Sequence, residues 1–142
     1  MPAAAQDPHP SEHRGNTRLW VLLYGLIAAP AAWMTAQVVA AWVAQRACFP
    51  GYAPRAAPAF GGVQAIGMAA LILALAVSLS GLLAALAAWR RTRQEHEGGG
   101  GPLLDVGEGR SRFMALTGVM TSSGFSLAVL FSVPAVLLTP AC

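Results

Sequence analysis

Three stretches of this chain, residues 19–44, 61–89 and 113–138, contain no Asp, Glu, Lys, Arg or His. A helix needs about 20 residues to cross the ~30 Å hydrocarbon core of a bilayer, and each stretch exceeds that length. A membrane-spanning strand alternates apolar and polar residues over about ten positions, which none of the three does. The pattern therefore predicts an all-α membrane protein with three transmembrane helices. Composition agrees: 56% of the 142 residues are hydrophobic and 11% charged. A soluble domain carries roughly 45–50% and about 25% respectively, and a disordered chain needs low hydrophobicity with high net charge.

The few charges set the expected orientation. All nine basic residues are Arg, giving a net charge of +3 and a pI near 9.5. They lie between the apolar runs rather than on one face, which argues against nucleic-acid binding. Arg14 and Arg18 precede the first run, and Arg90, Arg91, Arg93, Arg110 and Arg112 lie between the second and third. Those two segments share one side of the membrane, and the other side holds only Arg46 and Arg55. The excess of Arg predicts an N-terminus in the cytoplasm and a C-terminus in the periplasm. The chain then divides into a polar cytoplasmic tail (1–18), a first span (19–44), a periplasmic loop (45–60) and a second span (61–89). A cytoplasmic Arg/Gly-rich loop (90–112), a third span (113–138) and a periplasmic C-terminus (139–142) follow. Arg-only, Ala-rich usage has the look of a GC-rich bacterial genome; the expected location is a bacterial inner membrane, crossed several times. Trp20, Tyr24, Trp42, Phe60, Trp89 and Phe113 fall near span ends, as an aromatic belt does. Arg14, Arg18 and Val39-Ala40-Ala41 have some features of a signal peptide, but the apolar run is too long for an h-region, and a retained helix is expected.

The connections carry breakers. Pro2, Pro8 and Pro10 make the polar tail a disordered segment in isolation. Pro50, Gly51, Pro54 and Pro58 predict an irregular loop. Arg90 to Glu97 continues the second helix until Gly98 to Gly101 and Pro102 stop it.

Cys48 follows the first span and Cys142 follows the third. With three spans, both lie on the same side of the membrane in either orientation. On the periplasmic side a Cys48–Cys142 disulfide is expected to persist, closing a loop of 94 residues. In the chain-entropy model such a loop contributes on the order of 4–5 kcal/mol. A transient copper or redox site, since Cu(I) favours thiolate, and two unpaired thiols are the alternatives.

Small residues recur along the helices. Ala28, Ala32, Ala36, Ala40 and Ala44 stand at every fourth position of the first span, and Gly118, Ser122 and Ser126 on the third, near Thr117, Thr121 and Gly124. Gly67, Ala70, Ala74, Ser78, Gly81 and Ala85 form a comparable stripe on the second. Lipid gives no hydrophobic drive for helix association, so small side chains that admit close backbone approach supply it. The stripes fit packing within the chain or docking on helices of a larger complex.

Gln37, Gln64 and the hydroxyls of the third span are the polar groups near membrane depth, and each needs a partner. Gln37 is expected to form an interhelical hydrogen bond. Pro30 and Pro134 lie inside spans and should kink them. His9, His13 and His96 lie outside the spans, and a haem-binding subunit needs axial ligands facing its pocket. Met34, Met68, Met114 and Met120 then read as packing residues. His9 and His13 would need a helix to share a metal, which Pro8 and Pro10 oppose. No nucleophile–base pair or phosphate-binding loop stands out, and no ionisable group lies within a span to couple transport. Neither a catalytic residue, a cofactor nor a small-molecule substrate is expected.

Ala29-Pro30-Ala31-Ala32-Trp33 with Cys48 beyond it resembles a family of small three-helix proteins of proteobacteria. So does Arg112-Phe113-Met114-Ala115-Leu116, with Gly118, Ser122, Pro134 and the ending Thr139-Pro140-Ala141-Cys142. Members of that family are encoded beside haem–copper cytochrome c oxidases. The resemblance covers the first and third spans, and the Pro-x-Cys ending departs from the family's Pro-Cys. It implies a non-catalytic accessory subunit docked on the catalytic subunits of a respiratory complex. The alternatives are an oxidase assembly or copper-delivery factor using periplasmic thiols, and a small oligomeric transporter or channel.

Overall fold

The computed structural model describes residues 19–98 and 108–142, with side chains over 19–91 and 112–142. The expectations for the N-terminal tail with His9 and His13, for the His96 side chain and for residues 99–107 fall outside these. Among the described residues the chain is all-helical: α1 spans Leu19–Cys48, α2 Val63–Gly98 and α3 Glu108–Leu138, with one 3-10 turn at Pro50–Tyr52. All three helices are long and apolar enough to cross a membrane, over Leu19–Cys48, Val63–Arg91 and Arg112–Leu138.

The helices outlast the charge-free runs that reveal them. α1 continues four residues past Ala44 because nothing in Gln45-Arg46-Ala47-Cys48 opposes a helix. Pro50 disfavours helical geometry at the residue before it, and Phe49 duly leaves the helix at φ −129° and ψ 49°. α2 continues beyond Trp89 and ends at Gly98, where the glycine run begins. α3 starts at Glu108, ahead of the predicted Phe113. α1 and α3 pass through Pro30 and Pro134 without interruption.

Cross-helix partners fix the arrangement. Gly25 meets Ser122, Gln37 meets Ser132 and Cys48 meets Cys142, at separations of 97, 95 and 94 residues. A nearly constant offset means that α1 and α3 run parallel in fixed register. Against α2 the partners run in opposite order: Gly25 meets Ala85 while Ala28 meets Gly81, and on α3 Gly118 meets Ala85, Val136 meets Gly67 and Thr139, just past the helix end, meets Gln64. The fold is an up-down-up bundle in which every helix touches both others. Its interior is small. Ala36, Leu71, Ala74 and Val129 form one buried cluster, and Leu22, Ala88 and Ala115 another. Large apolar side chains such as Trp20, Ile72, Leu83, Met120 and Phe131 stand on the outer faces, where a bilayer rather than water is their natural solvent.

Candidate functional site

Two features distinguish this bundle: a seam where three backbones approach closely, and a covalent clasp at one end. At the seam a Cβ added to Gly25 would lie 3.0 Å from the Ala85 Cβ and 3.2 Å from its Cα and N. A Cβ on Gly118 would meet the Ala85 Cβ at 3.3 Å and the Gly25 carbonyl group at 3.4 Å. One on Gly81 would lie 3.3 Å from the Ala28 Cβ and 3.5 Å from the Ser122 Oγ. Glycine on all three helices thus permits a close approach: an added methyl would be tightest at Gly25, against Ala85, and at Gly118 and Gly81 it would need its neighbours to give by a few tenths of an ångström.

Ser122, Ser126, Tyr24 and Ser80 are satisfied across helices or onto their own turns. Ser122 donates to the Gly25 carbonyl at 2.7 Å, and Ser126 to the Ser122 carbonyl at 2.8 Å. Ser80 donates to the Val77 carbonyl at 2.8 Å, which leaves Tyr24 as the donor in its 2.6 Å bond with Ser80 Oγ. Nearer the clasp, Gln37 Nε2 donates to Ser132 Oγ at 3.2 Å, and Ser132 in turn donates to the Ala128 carbonyl. Trp33 packs on the Ala36 cluster, with its ring 5.6 Å from that of Phe125 and tilted by 58°. Its buried Nε1 and the buried Ser78 Oγ have no hydrogen-bond partner among the described residues.

The residues singled out in the sequence fall unevenly on this seam. Ala28, Ala36, Gly118, Ser122 and Ser126 are buried, whereas Ala32 and Ala40 are half-buried. An α-helix repeats every 3.6 residues, so a stripe spaced by four drifts around it and cannot face one partner throughout. The small-residue stripes pass over Gly25 and Ala29, the latter wholly buried. Gly25 has a visible signal, a lone glycine among Leu, Tyr and Ile, four residues from Ala29.

At the other end Cys48 and Cys142 are joined by a disulfide with Cα atoms 5.5 Å apart. The bridged Cys48 sulfur carries no proton, so its 2.8 Å approach to the Ala141 oxygen is a contact and not a hydrogen bond. The loop after α1 folds back on the helix end. Arg55 N–H donates to the Cys48 carbonyl at 2.9 Å and Ala59 N–H to the Ala47 carbonyl at 2.8 Å. These bonds occupy carbonyls that a helix C-terminus otherwise leaves open. Beside the clasp, Arg46 lies 5.5 Å from the Trp42 ring centroid in a cation–π pair. In comparison with known proteins, the chain matches no family model, no curated protein and no solved structure.

Proposed function

We propose that this protein is a non-catalytic accessory subunit of a bacterial respiratory membrane complex, a haem–copper cytochrome c oxidase, held in the inner membrane with its N-terminus in the cytoplasm. The observation that carries the structural role is the closed seam. Gly25, Gly81, Ala85 and Gly118 bring the three backbones within van der Waals contact, and no ionisable residue lies in any of the three charge-free runs. Ion- or proton-coupled transport ordinarily relies on such residues. A bundle closed in this way is suited to presenting rigid outer faces to other helices. The partner assignment rests on the resemblance of the Ala29–Trp33 and Arg112–Cys142 segments to the oxidase-linked family. The orientation rests on the seven-to-two distribution of Arg and on a disulfide that suits an oxidising compartment.

Mild detergent extraction from native membranes tests the partner. The protein should co-migrate with haem and with the oxidase catalytic subunits; recovery as a free monomer without haem overturns the reading. Reporter fusions after residue 142 should be active in the periplasm if the orientation is right.

A further inference from the structure

At the disulfide end an open groove of about 670 Å³ lies between the last turns of α1, the loop after it and the C-terminal residues. That volume falls within the ~300–1,000 Å³ of small-molecule sites. Ala41, Ala44 and Phe49 contribute apolar walls, and Gln45, Tyr52 and Arg55 polar ones. At 1.5 Å per residue the 30 residues of α1 extend about 45 Å, which matches the ~40–45 Å of a bilayer with its headgroups. The Cys48 end therefore reaches the headgroup layer, with Ala44 and Ala41 about 6 and 10 Å further in. The groove joins a polar mouth at headgroup level to apolar walls at acyl level.

The side-chain charges of the segments at this end have one sign. Residues 45–62 and 139–142 contain Arg46 and Arg55 and no Asp or Glu, and all six acidic residues lie in the sequence segments 1–18 and 90–112. The Arg55 side chain forms no ion pair among the described residues, and it is the Arg55 backbone that ties down the loop. Tyr52 adds a second sign of a site. Its φ of 63° is the left-handed region, unusual for a bulky residue, and the residue is 97% exposed. Strain of this kind, of order 1–3 kcal/mol, is concentrated at ligand-binding positions, and no packing within the chain repays it here.

We propose that the groove binds one anionic phospholipid, with Arg55 on the phosphate, Tyr52 and Gln45 beside the headgroup, and an acyl chain along Ala44 and Ala41. The experiment is native mass spectrometry of the full-length, disulfide-bonded protein in detergent. Phosphatidylglycerol, phosphatidylcholine and inorganic phosphate are each added. The wild type should retain one phosphatidylglycerol per chain, in preference to phosphatidylcholine, and inorganic phosphate should not displace it. Arg55→Gln should weaken retention about fivefold, the usual effect of one basic residue at an anionic surface. Ala44→Trp, which fills the apolar wall, should abolish it. Because Ala44→Trp risks disturbing the fold, Arg55→Gln is decisive by itself, and unchanged non-reducing mobility verifies its bridge. Equal retention by wild type and Arg55→Gln, no retention by wild type, or displacement by inorganic phosphate each overturns the proposal.

Discussion

Ser122 on α3 donates its hydroxyl proton to the Gly25 carbonyl on α1 across 2.7 Å, and Ser122 is fully buried. A Cβ added to Gly118, one turn before Ser122, would lie 3.4 Å from the Gly25 carbonyl carbon and oxygen, so the two backbones already approach closely where the hydroxyl meets the carbonyl. Hydrogen bonds between membrane helices average about 0.6 kcal/mol and reach about 1.7 kcal/mol. A short, wholly buried one belongs near the upper figure.

Ser122→Ala should therefore lower stability by about 1–2 kcal/mol, seen as a lower thermal midpoint in detergent. An unchanged midpoint would mean that the Gly25 carbonyl finds equal compensation elsewhere.

Gly25→Ala should cost more, about 1–3 kcal/mol, the usual penalty of overpacking. The new methyl would lie 3.0 Å from the Ala85 Cβ. Adding Ala85→Gly should restore only part of the loss, because the Ala85 Cα and N remain at 3.2 Å. Gly124→Ala is the internal control: its added Cβ meets nothing within 4 Å. It should be neutral or gain up to about 1 kcal/mol from helix propensity. Thermal midpoints of the four proteins check the order, and equal losses for Gly25→Ala and Gly124→Ala would refute the close seam.

The spans were legible because a charge at membrane depth is costly, so its absence over twenty residues leaves a mark on one sequence. Helix ends were less so: α1 runs on through Arg46 because the headgroup layer accepts a cation that the acyl layer does not. The bridge between Cys48 and Cys142 could be expected from topology alone, since three spans put both on one side. Facing residues were harder. In a chain this rich in alanine, small side chains occur on every face, and which of them is buried depends on helix rotation. Ala28 and Ala29 are neighbours and both are buried, yet spacing alone selects only the first. The groove at Gln45, Tyr52 and Arg55 had no sequence signal, because it is formed by the loop folding back on the carbonyls of Ala47 and Cys48.

Gln37 and Ser132 offer a second test of polar packing. Their bond is 3.2 Å long and part-buried, and Ser132 retains its own bond to the Ala128 carbonyl when Gln37 is removed. A double-mutant cycle of Gln37→Leu and Ser132→Ala should give a coupling of about 0.6 kcal/mol. A coupling above ~2 kcal/mol would instead indicate a network reaching beyond this pair.

The disulfide should act locally on the folded bundle and globally on the separated one. Two maleimide groups should attach to the protein after reduction and none before. Labelling without reductant would contradict the bridge and restore the thiol-based readings. Cys48→Ser removes a cross-link over 94 residues, for which the chain-entropy model gives about 4–5 kcal/mol. That figure is an upper bound, because helices that separate within a bilayer remain spanning and already have restricted freedom. Opening of the native state is a different matter. The clasp lies at one end and the Gly25–Ala85–Gly118 seam towards the other, so loss of the bridge should fray the ends of α1 and α3 while the seam holds. Hydrogen exchange should then rise in residues 45–62 and 135–142 and stay slow around Gly81 to Ala88. Uniformly faster exchange along all three helices would show that the seam depends on the clasp.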